Sequence, residues 1–334
     1  MRNDDLLLRL MLSDASFLTT KEKTLLQDTL DDAASLASLT LTDIASTIHR
    51  NIPKAVWKGS ESLKKAEISE KILSAMGISW TAWDKADYPA MLTEMTDPPY
   101  MIFYRGNLSC LKNPCVSVVG TRRGTAGARK ATETFARDAA DDGVTVVSGL
   151  AYGVDSYAHR GSLLSSQGNT AAVLPSGIDI ITPSAHTKLA RSILDKDGLI
   201  LSEYIPGTPA QAFRFVQRNR IIAALSPVTL VTQAPAGSGA LITADYALAY
   251  GRDVMLHEEC FSAESQLLEK VNLQELKAKA ALGKKVSHKI EQSVQHYRDD
   301  GAPVIKSYAE YKQCRESAPG TVFCKRDDGQ GKFF

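Results

Sequence analysis

The sequence predicts an α/β protein: a doubly wound, mostly parallel sheet preceded by a small all-α module. Three observations predict it. From Val116 onward, near-continuous apolar segments alternate with amphipathic ones, the pattern of a parallel sheet covered on both faces. The apolar segments end in small-residue turns that lead into helices, and right-handed crossovers then wind the sheet both ways. Before residue 80, apolar residues recur only at helical spacing.

Residues 1–80 read as the helical module. LLLRLML, TTKEKTLLQDTLDDAASLASL and LTDIASTIHR carry the helical spacing, with Thr19, Thr20 and Thr42 as N-caps. SESLKKAEISEKILSAMGI adds a helix closed by Gly77. Such a bundle is either a helix-hairpin-helix-like nucleic-acid module or, the preferred reading, a packing domain. Residues 81–115 form a linker and lead-in strand. Pro89, Pro98 and Pro99 mark a boundary before the edge strand YMIFYRG.

Residues 116–312 hold the sheet. Its strands are VSVVG, VTVVSGL, NTAAVLPSG, GLILSEY, PVTLVTQA and RDVMLHE. Helices lie between them, FRFVQRNRIIAALS reading as one and GALITADYALAYG as another. A lysine-rich helical insertion occupies about 259–298, and APVIKSYAEY follows as a short strand and turn. Residues 313–334 lack periodicity and read as a poorly ordered tail.

With 334 residues, 44% hydrophobic and 23% charged, the chain suits about two folded domains. A formal net charge of +1 means that any anion site is a local patch. Cys110, Cys115, Cys260, Cys314 and Cys324 show no CxxC pair and no zinc spacing, so they read as reduced thiols and no metal is expected. The apolar run at 6–12 is short and broken by Arg9. No membrane partner is expected, and the chain reads as cytoplasmic.

The stretch from Cys115 to Asp155 organises the rest. It is a βαβα unit with two helix N-termini at one end of a parallel sheet, where unpaired N–H groups favour anions. The strand ends together are Gly120-Thr121-Arg122-Arg123, Ser148-Gly149-Leu150-Ala151, Pro175-Ser176-Gly177, Ser202-Glu203-Tyr204 and Ala234-Pro235-Ala236-Gly237-Ser238-Gly239. Several small-residue turns at one rim imply close approach by a ligand. Arg122 and Arg123 stand where a phosphate would be met. Arg214, Arg218, Asn219 and Arg220 form a second basic arm, with Phe213 and Phe215 as candidate base-stacking platforms.

Asp155 and His159, four apart on the helix opened by Gly153, could hold a metal or a general base. With no third ligand and no nucleophile nearby, the preferred reading is an Asp–His hydrogen bond that steadies the turn. The sequence has neither a GxxxxGK phosphate loop nor a clean GxGxxG after the first strand. No cofactor and no catalytic residue is therefore assigned.

In order, VSVVGTRR, VVSGLAYGVDSYAHRGSL, TAAVLPSGID, LILSEY, RNRIIAALS and GSGALITADYALAYGRDV resemble the DNA-processing protein A family (DprA, also called Smf) over about residues 87–254. The resemblance implies a Rossmann-like domain that binds single-stranded DNA without a cofactor. It also implies protection of incoming DNA, loading of the RecA recombinase during natural transformation, and a homodimer. Arg122 matches the arginine of the family's first turn, beside Gly120 and Thr121. Ser148, Gly149, Ala151 and Gly153 match the second turn, Arg218, Asn219 and Arg220 its RNR element, and Gly237, Ser238 and Thr243 the fifth. The competing reading is a nucleotide-binding enzyme of the phosphoribohydrolase type. Its fifth turn is followed by a catalytic glutamate; here APAGSGALITADYA has none, although Asp245 is nearby. A non-catalytic nucleotide sensor is a third.

Overall fold

The computed structural model describes residues 5–284, 286 and 290–317. Five helices come first: α1 (Leu6–Asp14), α2 (Thr20–Thr29), α3 (Ala33–Ser38), α4 (Leu41–Thr47) and α5 (Gly59–Met76). Thr19 caps α2 in a reciprocal box with Glu22. Thr40, not Thr42, does the same for α4 with Asp43. Thr20 and Thr42 are the first and second residues of their helices, whereas a cap takes the extended backbone found at Thr19 and Thr40. Gly77 ends α5 in the left-handed region, as its position predicts.

Then come β1 (Ser79–Ala82), α6 (Ala90–Thr93), β2 (Met101–Gly106), β3 (Cys115–Gly120), α7 (Ala126–Asp141), β4 (Thr145–Ser148), α8 (Val154–Leu164), β5 (Thr170–Val173), α9 (Thr187–Asp195) and β6 (Leu199–Ser202). They are followed by α10 (Ala212–Gln217), α11 (Asn219–Ala224), β7 (Val228–Gln233), α12 (Gly239–Ala249), β8 (Asp253–His257), α13 (Ala263–Ala281), α14 (Val294–Asp299), β9 (Val304–Ile305) and α15 (Tyr308–Ser317).

Among the described residues, nine strands form one sheet in the order β1-β2-β6-β5-β4-β3-β7-β8-β9. The pairs from β6 to β9 are parallel, and β2 runs antiparallel to β6. This is the doubly wound sheet the alternation predicts. Strand β2 is not the edge strand. The four-residue β1 pairs outside it, a strand too short to show a period. Crossovers reverse direction between β3 and β7, which puts the switch point, the usual ligand crevice, at their carboxyl ends.

Side chains alternate between two cores. Val228 and Leu230 face α7 and α8, while Val231 faces α11 and α12. The N-terminal helices share one continuous core with the sheet: Leu8, Leu12, Ile44 and Leu73 pack with Met101, Phe103, Leu174 and Ile200. Other differences are local. FRFVQRNRIIAALS forms two short helices meeting at Arg218. The segment at 259–298 is helical at α13 and α14 with an interruption between them. The turn expected at SYAEY is the start of α15, whose Tyr308 and Tyr311 pack edge-on against Phe135 at 5.6 Å. Residues 313–317 of the expected disordered tail belong to that helix, and 318–334 lie outside the described residues.

Burial pushes the thiols of Cys110, Cys115 and Cys260 up to about 12, so they are unreactive. Among the described residues no helix is long and apolar enough to cross a membrane, and no three His, Cys, Asp or Glu side chains gather to hold a metal.

One buried ion pair ties the helical module to the segment after β1. Arg9, 1% exposed, binds both oxygens of Asp84 at 3.1 and 2.9 Å. Removing one partner of such a pair leaves an uncompensated buried charge. Asp84→Ala is expected to cost about 3–5 kcal/mol, read as a lower urea midpoint.

Candidate functional site

A cleft of about 340 Å3 opens at the switch point. The turns after β3, β4 and β7 form its floor and near walls, α10 and α11 one side, and α13 the other.

The first turn is shaped by close approach. A Cβ on Gly120 would stand 2.5 Å from the Val154 side chain and 2.8 Å from the Gln233 carbonyl. Only glycine lets β3, β7 and α8 converge there. Thr121 N–H donates to that carbonyl at 2.7 Å, and Thr121 Oγ1 accepts from Arg123 N–H. Thr125 caps α7 and is locked to the Gln233 amide. Arg122 and Arg123 are left exposed at the rim. The Arg122 guanidinium lies 4.7 Å over the Phe215 ring, which fixes it at the mouth of the cleft.

The second turn satisfies its own polar groups. Asp155, in the first turn of α8, accepts Ala151 N–H at 3.4 Å, so the helix N-terminus already holds an anion. Val154 N–H donates to Thr121 O. Ser148 is fully buried and donates to Val118 O, so its hydroxyl supports the sheet and does not face a ligand. Gly149 and Gly153 act through the space they leave. A Cβ on Gly153 would stand 2.2 Å from Thr121 O, and one on Gly149 would stand 1.5 Å from Arg218 Nη1. Ala151 lines the cleft.

Asp155 and His159 share no hydrogen bond; each grips the turn separately. Thr170 Oγ1 donates to Val146 O at 2.7 Å, so it accepts from His159 Nδ1–H. His159 Nε2 is then the acceptor for Leu150 N–H at 3.2 Å. His186 Nδ1 donates to Leu150 O at 2.7 Å. Leu150, at φ 56°, is thereby held from both sides in a conformation that L residues resist. Burial, with help from the Arg218 charge, lowers the His159 pKa to about 3, so the ring is neutral. With both nitrogens engaged, His159 is available to neither a metal nor a substrate.

The RNR element divides. Arg218, 2% exposed, enters the space over Gly149, donates to Val173 O at 2.8 Å and lies 3.6 Å from Asp155. Burial pushes Asp155 up and Arg218 down to about 10, and their mutual attraction opposes both shifts. Arg218 lines the cleft, and its Nε has no hydrogen-bond partner. Asn219 also lines the cleft and donates to Gly239 O. Arg220 turns away into ion pairs with Glu203 and Asp97, so it positions the helix and does not face the cleft. Phe213 is exposed beside Arg214 outside the cleft lining, which leaves Phe215 as the aromatic platform.

At the turn after β7, Gly237 takes φ 74° and Ser238 caps α12. Gly239 has open space where a Cβ would stand. Thr243 lines the cleft with its hydroxyl on Gly239 O. The sequence reading missed α13 as a wall. Glu269 accepts Ala236 N–H at 2.5 Å, Asn272 reaches Ala236 O, and Asn272 and Glu275 line the cleft. A polar, lysine-rich helix carries no local signal of which face meets a cleft. Asp245 is held by Tyr297 and Gln292 and is not part of the lining.

The charged residues lining the cleft are Arg122, Arg123, Arg218, Asp155 and Glu275, of which Arg218 is paired with Asp155 and Glu275 with Lys279. Among the described residues, the cleft-lining positive charge without an ion-pair partner is at the rim, on Arg122 and Arg123. Fold and site together define a Rossmann-like α/β protein with a cleft at its switch point whose rim carries Arg122 and Arg123.

The chain belongs to the DNA recombination-mediator protein A family, whose model matches residues 79–293. Protein Smf of Synechocystis sp. is 43% identical over 175 residues, 51% of this chain and 44% of its own length. Protein Smf of Borreliella burgdorferi is 32% identical over 269 residues, 80% of this chain and 84% of its own. The X-ray structure of DNA processing protein A (DprA) from Streptococcus pneumoniae superposes with a TM-score of 0.65 at 28% identity, covering 91% of this chain and 95% of that one. The chain thus spans less than half the length of the Synechocystis relative.

The second turn can be tested in two ways. Gly149→Ala places a methyl where Arg218 sits and strands Asp155; the expected cost is about 3–5 kcal/mol, measured as a fall in Tm. His159 is neutral in the folded protein, whereas the unfolded chain protonates it near pH ~6.5. Its contribution is complete above that pH and is lost as pH falls toward its folded pKa of about 3, by about 1.4 kcal/mol per unit. Unfolding of His159→Gln should depend less steeply on pH in that window than wild type.

Proposed function

We propose that the chain binds single-stranded DNA through this cleft and acts as a recombination mediator. The observation that carries the reading is the Arg122–Phe215 pair at the cleft mouth. Arg122 has no carboxylate within ion-pair distance among the described residues. Its fork is available for a backbone phosphate while Phe215 offers a face to a base. The cleft has no phosphate loop and no dinucleotide fingerprint. Its second turn already holds the Asp155 carboxylate, which disfavours a small nucleotide anchored there. A strand lying across the rim meets the unpaired charge instead. With Asp245 engaged outside the cleft, the phosphoribohydrolase reading lacks its acid.

The finer reading follows the family. The bound strand is protected and passed to the RecA recombinase during natural transformation, and the chain acts as a homodimer without a cofactor or a bond-making step. Binding is then sequence-tolerant and salt-dependent.

Arg122→Ala is expected to weaken binding to oligothymidylate and mixed-sequence single strands alike, about tenfold or more. It should also reduce the salt slope by about 0.7 for each phosphate that the arginine neutralises. Fluorescence anisotropy at several salt concentrations measures both, and wild-type affinity in this variant would remove the cleft as the binding site.

A further inference from the structure

A second concavity, about 730 Å3, lies on the outer surface of α7, α8 and α9. The first turns of α7 and α8 lie between it and the cleft. Arg129 on its wall is one turn along α7 from Thr125, the cap at the cleft rim, whose carbonyl accepts Arg129 N–H at 2.9 Å. The Arg129 guanidinium lies 5.8 Å over Tyr157, and Gly124 allows Tyr157 to pack against the turn that carries Arg123. Tyr157 and Arg129 thus link the turn that carries Arg123 to the wall of the groove.

The groove has an apolar floor and cationic edges. Leu163, Leu164 and Leu189 line it, and Leu164 is 67% exposed, unusual for a leucine on a covering helix. Arg129 is paired with Glu133, and Lys196 is bound to the Leu163 and Ser165 carbonyls. Arg160 has no ion-pair partner among the described residues. Nor does Lys188, one turn before Ser192 on the same face of α9. Arg160 thus lines the groove beside the exposed Leu164 and Lys188 borders it, while the lining carboxylates Glu133 and Asp195 are paired with Arg129 and Arg191. That combination suits a single strand, whose phosphates meet the cations while its unstacked bases lie on apolar side chains. A duplex offers phosphates but keeps its bases stacked inside.

We infer that a single strand leaving the cleft continues along this groove, with Arg160 and Lys188 on its phosphates and Leu164 beneath its bases. The inference rests on the cleft being the primary strand site. The groove starts about 10 Å from the rim, counting 1.5 Å per residue along α8 from Gly153 to Arg160, so a few additional nucleotides reach it.

The test compares oligothymidylates of about 4 and about 15 nucleotides, lengths that bracket single-strand site sizes, by fluorescence anisotropy. Wild type should bind the longer strand at least tenfold more tightly per molecule. Arg160→Glu/Lys188→Glu should lose about tenfold on the longer strand and keep wild-type affinity for the shorter. Arg160→Ala should move the same way by less. Both side chains are exposed, so unchanged thermal unfolding is expected and controls for misfolding. Wild-type affinity of the double variant at both lengths would overturn the groove while leaving the cleft reading intact, and would mean that another partner occupies it. An equal loss at both lengths, or no length dependence in wild type, would overturn it too. If wild type binds neither strand, the cleft reading fails and the groove falls with it.

Discussion

Arg218 occupies the volume that any side chain on Gly149 would need, and from there it reaches three elements at once. It donates to the end of β5 at Val173, faces Asp155 at the start of α8, and carries the junction of α10 and α11 on its backbone. A guanidinium buried to 2% exposure is costly without compensation. The surrounding turns therefore have to converge on it in one arrangement. Asp155 in turn fills the N-terminus of α8 that would otherwise take an external anion. The floor of the cleft is assembled by this internal charge pair, and ligand-directed charge is pushed outward to Arg122 and Arg123.

That displacement determines what the cleft suits. A pocket with open helix N-termini would grip one small phosphate deeply. Here Asp155 and Glu269 already take backbone N–H groups at two of the turns, while the rim presents arginine against phenylalanine. Such a rim favours an extended polyanion with exposed bases. Beyond it, Arg129 over Tyr157 and Arg160 beside Leu164 again set cations next to aromatic or apolar side chains. Helix α13 bounds the cleft with Asn272 and Glu275, the latter paired with Lys279.

Legibility followed range. The strand-helix alternation and the small-residue turns after β3 and β7 could be read directly, because burial on two faces imposes a local period. Arg122 and Phe215 could be read as rim residues because a strand-end turn and a helix entry place them there. Arg220 and Ser148 could not be separated from their neighbours. Which way a side chain turns on α11 or at the end of β4 depends on partners such as Glu203, Asp97 and Val118, distant in sequence. β1 escaped notice because four residues show no period, and the cleft-lining face of α13 because a polar helix does not announce the face it buries.

By itself, the sequence determined the class of fold, the alternation of strands and helices from β3 to β8, and the small-residue turns that meet at the cleft. These depend on hydrophobic period and on glycine placement, which act over a few residues. Tertiary structure alone decided which members of that rim are structural. It committed Arg218 and Asp155 to each other, set the two histidine bonds that hold Leu150, turned Arg220 away, and closed the cleft with α13. Those outcomes depend on which charges and hydrogen-bond partners meet across the sheet, and chain separation does not encode such meetings locally.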